Sequence, residues 1–153
     1  MTDQCERIRS VFLHPAASYD LCEVARLTGV SASRLQREVR AGDRDACRNG
    51  RAWRFTWRQV AILALESWTL AEIQGALGAD AARVLPPLLA LRPVTVRLPE
   101  YVLRALETCA ADRGTTLDHY LYGELIDFAG SMSDHLGHRI PGYRRAYFYP
   151  DQR

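Results

Sequence analysis

The chain has 153 residues, of which 48% are hydrophobic and 25% are charged, a profile typical of a folded globular protein. No apolar run reaches the roughly 18 residues that would span a membrane, and the first residues do not form a secretory signal, so we expect a cytoplasmic protein without a membrane partner. The sequence shows no Ser/His/Asp grouping, phosphate loop or metal constellation. We therefore expect no enzymatic activity, no cofactor and no bound metal.

Positive charge is concentrated in one part of the chain. All 20 basic residues are arginine, and the net charge of the whole chain is only +2. Residues 26–58 hold nine arginines against Glu38, Asp43 and Asp45, a local charge of +6, which leaves −4 for the remainder. Such a cluster is typical of a surface that binds nucleic acid, although a solvated protein face can have the same composition.

Residues 21–56 overlap this cluster and predict two short helices followed by a β-hairpin. Asp20 and Glu23 have the spacing of a capping box at the start of the first helix. Gly29, four residues after Ala25, supplies the left-handed backbone with which a helix ends and turns. We therefore expect the chain to turn sharply at Gly29 into a second helix.

The second helix is predicted to run from its cap at Ser31 through Arg40. Leu35 and Val39 are four residues apart and form the stripe that would be buried. The polar side chains that fall on another side of this helix are Ser33, Gln36, Arg37 and Arg40. This is the layout of a helix-turn-helix whose second helix lies in the major groove of DNA.

A basic hairpin is predicted directly behind this helix. Asn49-Gly50 is a strong signal for a two-residue type I′ turn, with flanking strands expected over residues 45–48 and 51–56. A helix-turn-helix followed by a basic two-stranded ribbon is a winged helix.

The run resembles the DNA-binding domains of the excisionase and MerR families, in which a Glu-x-Ala helix precedes Gly-Val-Ser, a recognition helix, a glycine and a basic wing. The matching positions are Glu23, Ala25, Gly29, Val30, Ser31, Leu35, Gly42, Arg51, Arg54 and Phe55. The aromatic pair that MerR proteins carry in the recognition helix is replaced here by Arg37 and Glu38. The resemblance therefore carries no expectation of MerR-type distortion of the operator.

This layout predicts which side chains contact DNA. Base edges would be read by Ser33, Gln36 and Arg37, since arginine can bond guanine through two atoms at once. Phosphates would be held by residues of the second helix and the wing, which set the register but carry little sequence information. The predicted phosphate-binding residues are Ser31, Arg34, Arg40, Arg48, Arg51 and Arg54.

Two further helices are expected after the wing, because two more capping boxes follow. These boxes are Thr56 with Gln59 and Thr69 with Glu72. The first helix is apolar on most sides and is expected to be the buried spine of this domain. Residues 69–84 also have the spacing of a helix-turn-helix, but Pro86-Pro87 would interrupt its second helix. We interpret this pair as structural rather than as a second element that reads DNA.

A different pattern begins after residue 88. Val94, Val96 and Leu98 alternate with polar residues, which predicts a short strand, and Pro99 then begins a helix. The stripe expected on this helix is Val102, Leu106 and Cys109. A second helix is predicted after Thr115 or Thr116, and the residues expected to face inward are Leu117, Leu121, Leu125 and Phe128.

A strand, a helix, a turn and a helix over residues 94–129 resemble the ribbon-helix-helix family of bacterial repressors and antitoxins. A lone strand has unpaired edges, and two copies that pair about a two-fold axis would satisfy one edge of each. The resemblance therefore implies a homodimer in which the outward residues Thr95 and Arg97 enter the major groove. Alternatively, these two residues face solvent and the module only dimerises the winged helices.

Residues 131–153 form a tail that is rich in aromatic and basic side chains. Tyrosine and arginine are enriched in binding hot spots. In position and composition the tail resembles the partner-binding tails that follow ribbon-helix-helix modules in antitoxins, although it could equally fold back on its own dimer. The residues expected to bind a partner such as a cognate toxin are Tyr143, Arg144, Arg145, Tyr147, Phe148 and Tyr149.

Four cysteines are present, and they show neither CxxC pairing nor a histidine at ligand spacing. Cys22 and Cys109 fall on apolar helix faces and are expected in the core, whereas Cys47 on the wing is expected to be exposed. A metal or redox sensor built from these cysteines is the alternative interpretation.

The sequence thus predicts a mainly α protein with short β-strands. It comprises a winged helix-turn-helix domain over residues 1–87, a ribbon-helix-helix-like dimerisation module over 88–130 and a tail over 131–153. The expected function is that of a dimeric, sequence-specific regulator of transcription that binds double-stranded DNA, most simply an autoregulatory repressor. The alternative is an antitoxin-type interaction protein whose tail masks a partner.

Overall fold

The computed structural model describes residues 4–150, which fold as two compact units. Unit 1 holds the described residues up to Leu91 together with those from Phe148, and unit 2 is Arg92–Tyr147. The described chain is mainly helical with a small three-stranded antiparallel sheet, which confirms the predicted class of α structure with short β-strands. The predicted tail is divided, because residues 131–147 belong to unit 2 and the described residues 148–150 belong to unit 1.

Unit 1 is built from helices around one small sheet. Its helices are α1 (Gln4–Leu13), α2 (Leu21–Thr28), α3 (Ala32–Ala41), α4 (Trp57–Ser67), α5 (Leu70–Leu77) and α6 (Ala81–Val84). Its strands are β1 (Tyr19–Asp20), β2 (Cys47–Asn49) and β3 (Ala52–Phe55), and β3 lies between the other two. Short 3-10 turns at Gly78–Asp80 and Pro87–Leu89 flank α6, which is a single turn long and ends before Pro86-Pro87 as predicted.

Side-chain caps determine where the helices of unit 1 begin. The Asp20 carboxylate accepts from the Glu23 backbone N–H at 2.8 Å, and the Glu23 carboxylate accepts from the Asp20 N–H at 2.8 Å. The predicted boxes at Thr56 with Gln59 and at Thr69 with Glu72 are formed in the same way. Each cap is worth about 1 kcal/mol, so these short helices gain appreciable stability from local contacts.

The loop of the β-hairpin lies one residue further along the chain than predicted. Asn49 pairs with Ala52, so the two-residue loop is Gly50-Arg51 rather than the predicted Asn49-Gly50. Gly50 has φ +60°, and no residue other than glycine has a positive φ in the described chain, which is the pattern of a type II′ turn. Phe55, fully buried and paired with Tyr19 of β1, anchors β3 to the core in this register.

The hydrophobic core of unit 1 lies where α1, α2, α4 and α5 meet beneath α3 and β3. Apolar side chains from each of these elements are almost completely buried. They include Ile8, Val11, Val24, Leu35, Phe55, Val60, Leu63, Ile73 and Leu77. As predicted, α4 contributes buried side chains on several sides and forms the spine of this core.

The chain end packs on unit 1 through Tyr149. The Tyr149 ring meets the Trp57 ring edge-on, with the ring centroids 6.4 Å apart, and the phenolic O–H donates to the Val84 carbonyl at 3.5 Å. The Trp57 indole N–H in turn donates to the Val11 carbonyl at 2.8 Å. Burial of Tyr149 raises the pKa of its phenol to about 12. Tyr149 is therefore part of the fold of unit 1.

Unit 2 consists of helices with almost no core of their own. These helices are α7 (Glu100–Asp112), α8 (Leu117–Ser131), α9 (Ser133–Leu136) and α10 (Tyr143–Tyr147). α7 and α8 pack on each other, and Thr116 caps α8 through the His119 N–H. Among the described residues of this unit only Ala110 is fully buried.

Two predictions for unit 2 are wrong in the single chain. Residues 94–98 form no strand, and Val94 is 81% exposed, because no neighbouring backbone is present to pair with this segment. Leu125 and Phe128, predicted to face inward, are each 64% exposed. Although α7 and α9 both contact α8, neither covers these two side chains, so this apolar side of α8 faces outward.

Among the described residues no single helix is long and apolar enough to cross a membrane. The segments Trp57–Ser67 and Leu70–Val84 are together long and apolar enough for a membrane span, by length and composition alone, but the chain bends by 113° at the break between them.

We expect the free energy of unfolding of the Tyr149→Phe variant to change less with pH in the alkaline range than that of the wild type. A raised pKa means that the fold favours the neutral phenol, so this stabilisation is complete below pH 10 and is lost as the pH rises through about 12. Denaturant unfolding at several pH values in this window measures the effect. Tyr101→Phe, at a position that is 77% exposed, is the matched control and should behave like the wild type. Identical alkaline profiles for Tyr149→Phe and the wild type would contradict the packing of Tyr149.

Candidate nucleic-acid interface

α3 is held in place by a turn before it and by two buried side chains on its inner side. Gly29 ends α2 with φ +80°, and its N–H donates to the Ala25 carbonyl at 2.9 Å. The Ser31 hydroxyl caps α3 by accepting from the Arg34 N–H at 3.3 Å. Leu35 and Val39 are buried against the core, as their spacing predicts. These contacts determine both the start of α3 and the side that faces outward.

The outward side of α3 is polar and positively charged. Its exposed residues recur at intervals of three and four, so they share one face of the helix. They are the predicted base-reading residues Ser33, Gln36 and Arg37 together with the predicted phosphate-binding residue Arg40. The structure therefore brings these four side chains together on one accessible surface, which we call the α3 face.

Arg34 lies beside the α3 face and is the first member of a chain of ion pairs. Its Nε donates to Oε1 of Glu38 at 2.6 Å, and Arg44 Nε donates to the other oxygen of Glu38 at 2.9 Å. Arg44 then reaches α4, where Nη2 lies 2.9 Å from a carboxylate oxygen of Glu66. We call these four residues the Arg34–Glu66 network. It connects the flank of α3 to the core helix α4.

Hydrogen bonds within the network control its titration. The bond from Arg34, followed by the bond from Arg44, holds the pKa of Glu38 below its ordinary value of 4.5. Burial acts to lower the pKa of Arg44, but the hydrogen bonds to Glu66 and Glu38 outweigh it and leave the pKa raised. Both shifts favour the charged forms of Glu38 and Arg44. Arg34 lies at the outer end of the network, and its side chain is 59% exposed.

The β2–β3 hairpin holds the other residues predicted to bind phosphates. Arg48 and Arg51 are exposed, and Arg54 is half-buried in β3. The Arg48 guanidinium lies 5.6 Å from the centre of the Trp53 ring, which faces it across the hairpin. This cation–π contact restrains a long side chain that would otherwise be free to rotate. Positive side chains are thus present on the hairpin as well as on α3.

Thr95 and Arg97 belong to unit 2, whereas α3 and the hairpin belong to unit 1. Both residues are exposed, and both lie in the irregular segment that precedes α7. Their predicted role in reading bases depends on a strand that would form only against a second chain.

The residues predicted to bind a protein partner are partly used within the chain. In unit 2, the Tyr143 hydroxyl donates to the Ala129 carbonyl at 2.7 Å, and the Tyr143 and Tyr147 rings stack with centroids 6.1 Å apart. Tyr149 is packed on unit 1, as described above. The predicted partner-binding residues that stay exposed are Arg144, Arg145, Tyr147 and Phe148.

The predictions for the cysteines are corrected in two places. Cys22 and Cys109, expected in the core, are exposed, whereas Cys47 is exposed as predicted. Cys22 lies two residues from the buried Val24, which turns it to the opposite side of α2, and Cys109 precedes the one buried residue of α7. Within residues 4–150 no group of three potential ligands is placed to hold a metal ion.

The sequence analysis missed the Arg34–Glu66 network. The spacing of Arg34 and Glu38, four apart on a helix, is a signal from which that pair could have been predicted. Arg44 and Glu66 are 22 residues apart, and no local pattern connects them. Arg7 was also missed: its guanidinium lies 5.8 Å from the centre of the Trp68 ring and beside Gly29.

We expect Gly29→Ala to destabilise the chain by about 1 kcal/mol or more, because an L-residue is strained at φ +80°. The added Cβ would also lie 3.2 Å from Nη1 of Arg7. Gly75→Ala is the matched control, since Gly75 lies inside α5 with open space around it and alanine favours helix by about 1 kcal/mol. The melting temperature should fall for Gly29→Ala and rise for Gly75→Ala. An unchanged melting temperature for Gly29→Ala would contradict the turn geometry.

No protein-family model, curated protein or solved structure matches this chain. The interface is therefore characterised by its own geometry: a polar, positively charged helix face that is held by Leu35 and Val39 and accompanied by a basic hairpin.

Proposed function

We propose that the chain is a cytoplasmic, sequence-specific regulator of transcription that binds double-stranded DNA as a homodimer, and that it represses its own gene. In this proposal unit 1 is a winged helix-turn-helix domain and unit 2 is a ribbon-helix-helix-like dimerisation module. The observation that carries the proposal is the α3 face, on which Ser33, Gln36, Arg37 and Arg40 are exposed together opposite two buried residues. A helix of this kind, preceded by a tight turn, fits the major groove.

The proposed contacts divide into two kinds. Arg37, with Ser33 and Gln36 beside it, would bond base edges and so choose the sequence. Ser31 and five arginines would bind phosphates, which gives affinity and register but little choice between sequences. The proposed phosphate-binding residues are Ser31, Arg34, Arg40, Arg48, Arg51 and Arg54.

The exposure of apolar side chains in unit 2 supports dimerisation. Val94 and Val96 are 81% and 66% exposed, and Leu125 and Phe128 on α8 are also largely exposed. A unit this small that buries a single alanine gains little hydrophobic stabilisation by itself. A second copy would cover these side chains and pair the two extended segments, which leaves Thr95 and Arg97 outward, either to contact DNA or to face solvent.

An antitoxin-type interaction protein is the second candidate. It is favoured by the exposure of three residues of the predicted partner-binding segment, since Phe148 is 43% exposed and Arg144 and Arg145 are exposed as well. The contacts of Tyr143 and Tyr149 within the chain weigh against a tail that is free to wrap a cognate toxin. We therefore place DNA binding first and partner masking second.

DNA binding is tested with the sequence upstream of the protein's own gene, compared with scrambled DNA across a salt series. We expect preference for the upstream DNA and a steep fall of affinity with salt, because each phosphate contact releases counterions. Absence of binding to either DNA would contradict the proposal and favour the interaction protein.

We expect Arg37→Ala and Arg51→Ala to weaken DNA binding in different ways. Arg37→Ala should remove about 1–3 kcal/mol of preference for the specific site and leave non-specific binding nearly unchanged. Arg51→Ala should weaken both kinds of binding alike and reduce the salt slope by about 1. Titrations of labelled duplexes with each variant provide the measurement.

Arg83→Ala is the control for this pair, since Arg83 is an exposed arginine of unit 1 that is paired with Asp80 away from the α3 face. It should bind both DNAs like the wild type. Equal losses on both DNAs for Arg37→Ala and Arg51→Ala would overturn the proposed division between base and phosphate contacts.

We expect Val96→Asp and Leu125→Asp to convert the dimer to a monomer, because each would place a charge in the apolar surface that the second copy covers. Analytical ultracentrifugation over a range of protein concentrations measures the change. Leu88→Asp, at a leucine of unit 1 that is 52% exposed, is the control and should leave the dimer intact. A wild-type protein that sediments as a monomer at every concentration would refute dimerisation.

A further inference from the structure

We infer that Glu38 and Arg44 are positioning residues that hold the Arg34 guanidinium ready for a DNA phosphate. The inference rests on the proposed function, which it deepens by assigning a role to residues that contact no DNA themselves. It also explains why an acidic residue, Glu38, is present on the helix that is proposed to read DNA.

The order of side chains around α3 places Arg34 at the edge of the α3 face. With 3.6 residues per turn, Arg34 lies roughly 60° around the helix axis from Arg37, and Glu38 lies further round, toward the buried side. The exposed fractions agree with this order, since the Arg34 side chain is 59% exposed and the Glu38 side chain 16%. Glu38 therefore holds Arg34 from the core side and leaves its outer side open, where a phosphate would approach the helix.

The atoms involved leave the phosphate-binding part of Arg34 accessible. Glu38 accepts from Nε of Arg34, so this bond engages the inner N–H of the guanidinium and not the two terminal nitrogens. A guanidinium can bind a carboxylate and a phosphate at the same time because its five N–H donors point in different directions. Arg34 can thus keep Glu38 while Nη1 and Nη2 donate to DNA.

Arg44 fixes the position of Glu38 by bonding it to Glu66 of α4. It donates Nε to the second oxygen of Glu38 and both terminal nitrogens toward Glu66, at 2.9 Å for Nη2 and 3.5 Å for Nη1. Its side chain is only 17% exposed, so the bonds are partly shielded from water. Since Glu66 belongs to α4, the position of Arg34 is tied to the core rather than to the flank of one helix.

The sign of one substitution separates positioning from simple electrostatics. Glu38→Gln removes a negative charge close to DNA, so long-range attraction alone would make binding tighter. Loss of positioning would instead weaken binding about three- to tenfold, because the freely rotating Arg34 side chain would have to be immobilised when the complex forms. It would also lower the salt slope by up to about 1, because the Arg34 phosphate contact is less fully made.

The experiment measures affinity of the full chain for duplex DNA over a salt series, for the wild type, Glu38→Gln, Arg34→Gln and the double variant. We expect the loss in Glu38→Gln to vanish in the Arg34→Gln background, because Glu38 acts through Arg34. Asp43→Asn is the matched control for charge, since Asp43 is an exposed acidic residue just beyond α3 and should give equal or tighter binding. Thermal unfolding of each variant shows whether the fold has changed, and a fold effect would persist in the double variant.

Tighter binding by Glu38→Gln, or an equal loss in both backgrounds, would overturn the inference while the proposed function stands. Absence of DNA binding by the wild type would overturn the proposed function and this inference together. Arg44→Gln provides an independent check: it removes a positive charge that lies behind Glu38, and it should reproduce the loss and the dependence on Arg34.

Discussion

The burial of Leu35 and Val39 is the constraint on which the candidate interface depends. Both side chains lie on one side of α3, and the helical period then determines that Ser33, Gln36 and Arg37 point the other way. The cap at Ser31 sets where the helix begins, and a slip of one residue would rotate every side chain by roughly 100°. Core packing and local capping therefore decide together which side chains the protein presents.

Unit 2 differs from unit 1 in how little apolar surface it buries within its own chain. In unit 1 helices from five parts of the chain enclose a core around Phe55, whereas α7 and α8 bury little more than Ala110 between them. Such a pair has its remaining apolar surface available for association. In the proposed dimer, association would complete the fold of unit 2 and also bring two α3 helices to one DNA. Affinity for DNA would then depend on protein concentration, because only the dimer would bring two α3 helices to one DNA.

The features that could be predicted from the sequence are those encoded by neighbouring residues. Capping at Asp20 and Ser31, the turn at Gly29 and the buried stripe of α3 each depend on residues within four positions of one another. The hairpin loop was predicted one residue too early in the chain, because the burial of Phe55 and its pairing with β1 decide the register. Local turn preference alone could not supply that information.

The features that could not be predicted depend on residues far apart in the chain. β1 is two residues long and exists only because it pairs with β3, and Arg44 meets Glu66 across the space between a loop and α4. For unit 2 the helices were predictable from their patterns, but the inward side of α8 was not. An apolar stripe predicts that one side of a helix is buried. It does not distinguish burial against the same chain from burial against a second chain.

The chain end bears on the choice between the two candidate functions. Its composition, rich in tyrosine and arginine, was the reason to consider a segment that binds a partner protein. Tyr143 donates to the backbone of α8 and stacks on Tyr147, and Tyr149 packs on Trp57 at the start of α4. These aromatic residues therefore already have neighbours within the chain. A partner would have to break these contacts before using the segment, which lowers its affinity by the free energy of those contacts. The α3 face needs no such rearrangement, because its side chains are already exposed on a supported helix. This difference in pre-organisation favours DNA recognition as the primary function.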